Sequence, residues 1–131
     1  MTNLATRALT TAAVVAGTLI TLAGPAAASH GGGGGVQDRG SCHGGGTFKL
    51  QAKHDDGRIE VEYEVDSNRR GQVWHVRLTD NGVRFFAGTA RTTAPSGSFE
   101  LHKLTRNRAG SDTIRAHATL GTRSCRGHVT L

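Results

Sequence analysis

Apolar and polar residues alternate through most of the chain from Thr47 to Leu131. In "TFKLQAKH" (47–54), Phe48, Leu50 and Ala52 share one phase, and Lys49, Gln51 and Lys53 the other. In "RIEVEYEV" (58–65), Ile59, Val61, Tyr63 and Val65 share one phase against Glu60, Glu62 and Glu64. A period of two puts successive side chains on opposite faces of a strand, so each segment predicts a strand with one buried face. The intervening "HDDG" predicts a four-residue hairpin loop with Gly57 at its left-handed position, which sets Lys49 opposite Glu62. "QVWHVRLTD" (72–80) and "VRFFAGTART" (83–92) flank Asn81-Gly82, a strong local signal for a two-residue hairpin turn. An unbroken register there pairs Leu78 with Phe85 and Val76 with Ala87, on the face that carries Trp74. Val73, His75, Arg77, Arg84 and Phe86 then lie on the opposite face. "SFELHKL" (98–104), "DTIRAHATL" (112–120) and "SCRGHVTL" (124–131) complete the set, the last two forming a third hairpin across Gly121-Thr122.

Seven short strands, turn signals at regular spacing and no helical period predict an all-β, seven-stranded antiparallel Greek-key sandwich. Three hairpins constrain its layout. They are satisfied when 47–54, 58–65 and 98–104 form one sheet and 83–92, 72–80, 112–120 and 124–131 the other. Trp74 then belongs to the core. The acids of 58–65 are expected to pair with lysines on a wet face.

The preceding segments divide differently. "ALTTAAVVAGTLITLA" (8–23) is apolar and small, Gly24-Pro25 breaks it, and Ala26-Ala27-Ala28 offers the small residues a signal peptidase selects. Residues 1–28 are therefore expected to be a secretory signal peptide, giving a secreted, extracellular protein with no stable membrane insertion after cleavage. Residues 29–46 are Gly-rich and are expected to be a flexible tether, since glycine loses the most backbone freedom on ordering. The sandwich domain is expected over 47–131.

The chain carries two cysteines, Cys42 and Cys125. Without CxxC spacing and behind an export signal, they predict a disulfide.

The stretch "AGSDTIRAHA" (109–118) resembles the sixth strand of bacterial immunoglobulin-like modules. The span Cys42–Leu131 is similar to small secreted single-disulfide sandwich proteins of bacteria with no assigned function. The resemblance implies an immunoglobulin-like or fibronectin-III-like arrangement and says nothing of activity, because sandwiches host many functions.

Charge narrows the function further. Sixteen Lys and Arg against ten Asp and Glu give a formal net charge of +6 at pH 7, or +5 once Arg7 is removed with the signal. That excess favours anionic partners, such as cell-wall polymers, acidic polysaccharide, nucleic acid or phospholipid. Only six aromatic residues are present, too few for the stacking platforms of single-strand nucleic-acid binders. No Gly-x-Ser-x-Gly or His-Glu-x-x-His motif occurs, and both cysteines are assigned to the bridge, so the chain is not expected to be an enzyme.

Metal motifs are equally thin. "DSNRRG" (66–71) matches the first half of a calcium loop, but Arg77 stands where the bidentate Glu belongs. His75, His102, His117 and His128 lie at polar phases, and the register sets His117 against Arg126 and His128 against Arg115, poor surroundings for a cation. His30 would complete a square copper- or nickel-chelating amino terminus if cleavage fell before Ala28, and would chelate less completely if it fell after Ala28, so that only a weak site is expected there. No cofactor is expected.

Arg115, His117, Arg126 and His128, with His75, Arg77 and Arg84 from the neighbouring hairpin, are expected to form a basic face. Val73 and Phe86 are expected to add exposed apolar contact. The resulting expectation is a secreted, monomeric, non-catalytic binding module near the cell envelope, contacting an anionic polymer or a protein. The alternatives are a secreted hydrolase without a recognisable motif and a structural protein with no specific ligand.

Overall fold

The computed structural model describes residues 34–131. Residues 1–33, which include the expected signal peptide and His30, lie outside the described residues. Eight strands follow in order: β1 (Val36–Ser41), β2 (Thr47–Asp55), β3 (Arg58–Asp66), β4 (Val73–Asp80), β5 (Val83–Arg91), β6 (Ser98–Arg106), β7 (Thr113–Leu120) and β8 (Arg123–Thr130). They form two four-stranded sheets, β1-β2-β3-β6 and β5-β4-β7-β8, with every pairing antiparallel. No helix occurs among the described residues. The three expected hairpins are present, and the sequence-derived strands fall in the expected sheets and order.

The expected count of seven is corrected by β1. Its six residues come from the segment assigned to the tether, and they pair with β2 from Val36↔Ala52 to Ser41↔Thr47. Its inward phase holds Val36, Asp38 and Gly40, which is no hydrophobic pattern, so the alternation rule misses it. Its ladder with β2 and its position over Phe48 hold it instead. A Cβ on Gly40 would meet the Phe48 ring at 2.9 Å, and one on Gly127 of β8 would meet it at 2.7 Å. Phe48 thus fills a narrow gap at one edge, between glycines from opposite sheets.

The core draws from both sheets. Leu50, Ile59, Val61, Tyr63, Val65, Trp74, Leu78, Ile114 and Ala118 are fully buried. Each sits on the inward phase of its strand, so the alternation places the interior directly. Burying side chains of this size contributes about 1.5–3 kcal/mol each and drives the two sheets together. Tyr63 packs edge-on to Phe99, with ring centroids 6.2 Å apart. Its hydroxyl donates to the Cys125 carbonyl at 2.9 Å, tying β3 to β8 across the interior.

Cys42 and Cys125 are bonded, 83 residues apart in sequence, and no free cysteine remains among the described residues. Beside the bridge, His43 and Ser124 exchange backbone hydrogen bonds of 2.8 and 3.1 Å. The chain following β1 therefore stitches one sheet to the edge of the other.

Two registers differ from expectation. The β2–β3 hairpin turns on two residues, Asp56 (φ 44°) and Gly57 (φ 75°), both left-handed, as a tight primed turn requires. Lys49 therefore stands opposite Glu64, and its ammonium reaches diagonally to Glu62 at 2.5 Å and to Glu64 at 3.6 Å. The β4–β5 hairpin turns on Asn81-Gly82 as expected, but a bulge follows at Leu78/Thr79. Thr79 pairs with Arg84 and Leu78 with Phe86, leaving Phe85 as the extra residue.

Candidate anion-binding face

The outer face of β5-β4-β7-β8 is built by strand phase. Trp74, Val76, Leu78 and Asp80 point inward on β4, so His75, Arg77 and Thr79 point outward. Ile114, Ala116 and Ala118 are buried on β7, which turns Arg115, His117 and Thr119 out. Cys125, Gly127 and Val129 are buried on β8, which turns Arg126 and His128 out.

Pairing then aligns these side chains in rows across the strands. One row reads Arg84, Thr79, Arg115, His128. The next reads Ala87, Arg77, His117, Arg126, and a third carries Thr89, His75, Thr119 and Ser124. Neighbouring strands lie about 4.8 Å apart, and residues two apart on a strand lie roughly 6.6 Å apart. The two cationic rows therefore make a stripe some 14 Å long, running across the strands. Arg77, Arg84, Arg115, His117, Arg126 and His128 line one shallow groove of about 630 Å³. His75 borders an adjoining depression shared with Arg77, Arg84 and His117.

All seven expected face residues are thus brought to one surface. Among the described residues, no Asp or Glu lies on the outward phase of these four strands. A carboxylate meets the sheet at its edge, where Asp38 of β1 accepts the His128 backbone N–H at 3.0 Å.

His117 is the half-buried member of the group. Arg126 Nε donates to His117 Nε2 at 3.2 Å, so that nitrogen accepts and the ring is neutral. Burial, then the charges of Arg126 and Arg77, lower its pKa below the ordinary histidine value.

The expected apolar pair is divided: Val73 is exposed, whereas Phe86 turns to the core. Val73 is 39% exposed and pairs with Arg91 near one end of the hairpin. Phe86 pairs with Leu78, packs against the core, and carries Lys103 Nζ 4.5 Å from its ring centroid. The bulge shifts Phe86 to the inward phase, and both Phe85 and Phe86 pack against the core. An unbroken ladder would leave one phenylalanine in water, and the transfer free energy of a ring favours the bulge. Thr79, not singled out from the sequence, lies between Arg84 and Arg115 in its row; its phase with His75 and Arg77 is the signal that marks it.

The opposite outer face differs in chemistry. Glu62, Glu100 and His102 place one ligand-type atom each within 4.8 Å of one another. Glu62 is opposite His102, and Glu64 is opposite Glu100. The hydrogen bond from Lys49 holds the Glu62 carboxyl below its ordinary pKa. Lys53 reaches Glu60 at 3.1 Å, and His102 Nε2 contacts Glu100. The lysine–glutamate pairs run across β2 and β3, as the lysine and acid rows predict, and the His102–Glu100 contact runs along β6. "DSNRRG" also resolves as a turn: Asp66 Oδ1 accepts the Asn68 N–H at 2.9 Å, and the Ser67 hydroxyl is tied to Gly97.

Comparison with protein-family models, with curated proteins and with solved structures finds no match to this chain.

Proposed function

We propose that this protein is an exported, monomeric, non-catalytic binding module of the cell envelope. Its fold is read as an immunoglobulin-like Greek-key sandwich, and its ligand as an anionic polymer held on the outer face of β5-β4-β7-β8. The strand order supports the fold reading: β2-β3-β6 against β5-β4-β7-β8 is the arrangement of fibronectin-III-type sandwiches with one strand added at an edge. Export is supported by the apolar stretch before Ala26-Ala27-Ala28 and by the bonded cysteines.

One observation carries the binding reading. Four arginines and three histidines share a face that has no carboxylate among its outward residues. Arginine presents a planar fork of donors that fits phosphate, sulfate and carboxylate oxygens. Like charges so concentrated repel one another, and a bound polyanion relieves that repulsion. Its outward rows carry no Phe, Tyr or Trp ring, so recognition is read as resting on charge and hydrogen bonding more than on stacking against bases or sugars.

The test is retention on an immobilised polyanion. Affinity is expected to fall about tenfold or more between roughly 0.05 and 0.2 M salt, as counterions compete. Charge reversal at Arg115 and Arg126 is expected to weaken retention far more than reversal at Lys49 and Lys53. Equal losses from both pairs would mean that net charge alone acts, and that this face is not a site.

A further inference from the structure

We infer that Arg77, His117 and Arg126 form a proton-coupled subsite for a tetrahedral oxyanion, a sulfate or phosphate ester group of the polymer. The inference rests on the anion-binding reading above. His117 stands at the centre of its row, with Arg77 on β4 to one side and Arg126 on β8 to the other. Two arginines one strand away on each side leave room for an anion above the imidazole, within reach of both forks.

In the free protein, Arg126 spends its Nε–H on His117 Nε2 at 3.2 Å, so no proton can occupy that nitrogen. The arrangement keeps the histidine neutral between two cations, and its lowered pKa accords with that. An arriving oxyanion offers Arg126 stronger, charge-assisted acceptors. Arg126 then turns its donors to the anion and releases His117 Nε2. That nitrogen, now beside a negative charge, takes up a proton and donates it as a hydrogen bond to the same anion. The balance is simple: one proton passes from hydronium or a buffer acid to His117 Nε2, forming an N–H bond as the acid's bond to that proton breaks, and the hydrogen bond from the Arg126 cation to a neutral imidazole is exchanged for hydrogen bonds from two cations to the anion.

The other groups facing this point are Arg115 on β7, His128 on β8, Arg84 on β5 and His75 on β4. None is a carboxylate, and Asp38, at the β1 edge, is engaged by the His128 amide. No acid in the groove competes for the proton. A histidine whose pKa rises by one unit on binding tightens binding about tenfold across its titration. The subsite therefore favours retention in acidic surroundings and release above neutrality.

Short-chain dextran sulfate is a suitable probe, because sulfate esters do not titrate near neutrality and any proton taken up belongs to the protein. Calorimetry at pH 6.5 in two buffers of different protonation enthalpy measures that uptake. Net uptake is expected in the wild type, with affinity several-fold, up to about tenfold, greater at pH 5.5 than at pH 7.5. His117→Gln is expected to abolish most of the uptake, while His128→Gln and His75→Gln retain it. In the wild type, the ring resonance of His117 should titrate at higher pH with dextran sulfate than without. Binding without uptake, or uptake that survives in His117→Gln, overturns the subsite and leaves the anion-binding reading standing. Absence of any binding overturns both. Repeating the series with inorganic polyphosphate separates a phosphoryl from a sulfuryl preference by the larger shift of the His117 resonance.

Discussion

Asp80 sits at the inward end of β4, fully buried, with one carboxylate oxygen lacking a hydrogen-bond partner. The other oxygen accepts from Thr105 at 3.5 Å and faces Arg108 Nε at 3.7 Å. Asp112, 1% exposed, lies beside it and is held by the Arg108 backbone N–H at 3.2 Å. Burial raises the pKa of Asp80, Asp112 raises it further, and Arg108 opposes both. The sign follows from proton counting. A carboxyl whose folded pKa exceeds its unfolded pKa binds more protons folded, so its contribution favours folding in acid and is lost as pH rises from the ordinary 3.8 through the raised value. Replacing it with a neutral isostere removes that loss. Asp80→Asn is therefore expected to melt at the same or a higher temperature at pH 7, and to differ little from wild type near pH 3. Melting more than about 5 °C lower at pH 7, on the order of 1 kcal/mol, would mean that the ionised Asp80–Arg108 pair is a net stabiliser. Trp74 is the apolar counterpart. Its phase alone places it in the core, where it is fully buried, with Arg123 stacked 5.1 Å from its ring. Its indole N–H has no partner there, which the sequence pattern cannot reveal.

At the scale of elements, legibility depended on whether side-chain phase or backbone geometry set the outcome. Strands β2, β3, β4, β6, β7 and β8 announce themselves by alternating burial, because one face of each is apolar and the other wet. The basic face follows from the same alternation and from the turn of the last hairpin, so His117↔Arg126 and Arg115↔His128 are readable in advance. Three features were not readable. The Asp56-Gly57 turn is two residues long where four-residue and two-residue closures both suit "HDDG", and the difference moves the partner of Lys49 by two residues, from Glu62 to Glu64. The β4–β5 bulge depends on competition between ladder hydrogen bonds and the burial of two adjacent phenylalanines, which alternation does not weigh. Strand β1 has no apolar stripe, because it is an edge strand whose order comes from its neighbour. That origin makes it testable. Amide exchange in Val36–Ser41 should be slowed at the positions that donate to β2, in contrast to a tether, which exchanges freely. Uniform, unprotected exchange across these six residues would return them to the tether.

For the whole molecule, the two sheets have no covalent bond between them other than the main chain and the Cys42–Cys125 bridge, which spans nearly the full described chain. About a hundred residues can bury only a modest core, so a domain of this size is held by a few kcal/mol. On the chain-entropy account, a loop of 83 residues removes roughly 4–5 kcal/mol of freedom from the unfolded state. The bridge therefore supplies a share comparable to the net stability. It also acts at the edge where Phe48 is pinched between Gly40 and Gly127 and where His43 and Ser124 pair across the sheets. Reduction should first free β1 and the β8 edge, and with them Asp38, which caps the His128 amide beside the basic groove. The expected outcome is a reduced protein about 4–5 kcal/mol less stable to urea, with polyanion retention lost alongside β1 protection. A Cys42→Ser/Cys125→Ser protein with unchanged urea midpoint would show that the pairing of the two sheet edges, and not the covalent link, closes the fold.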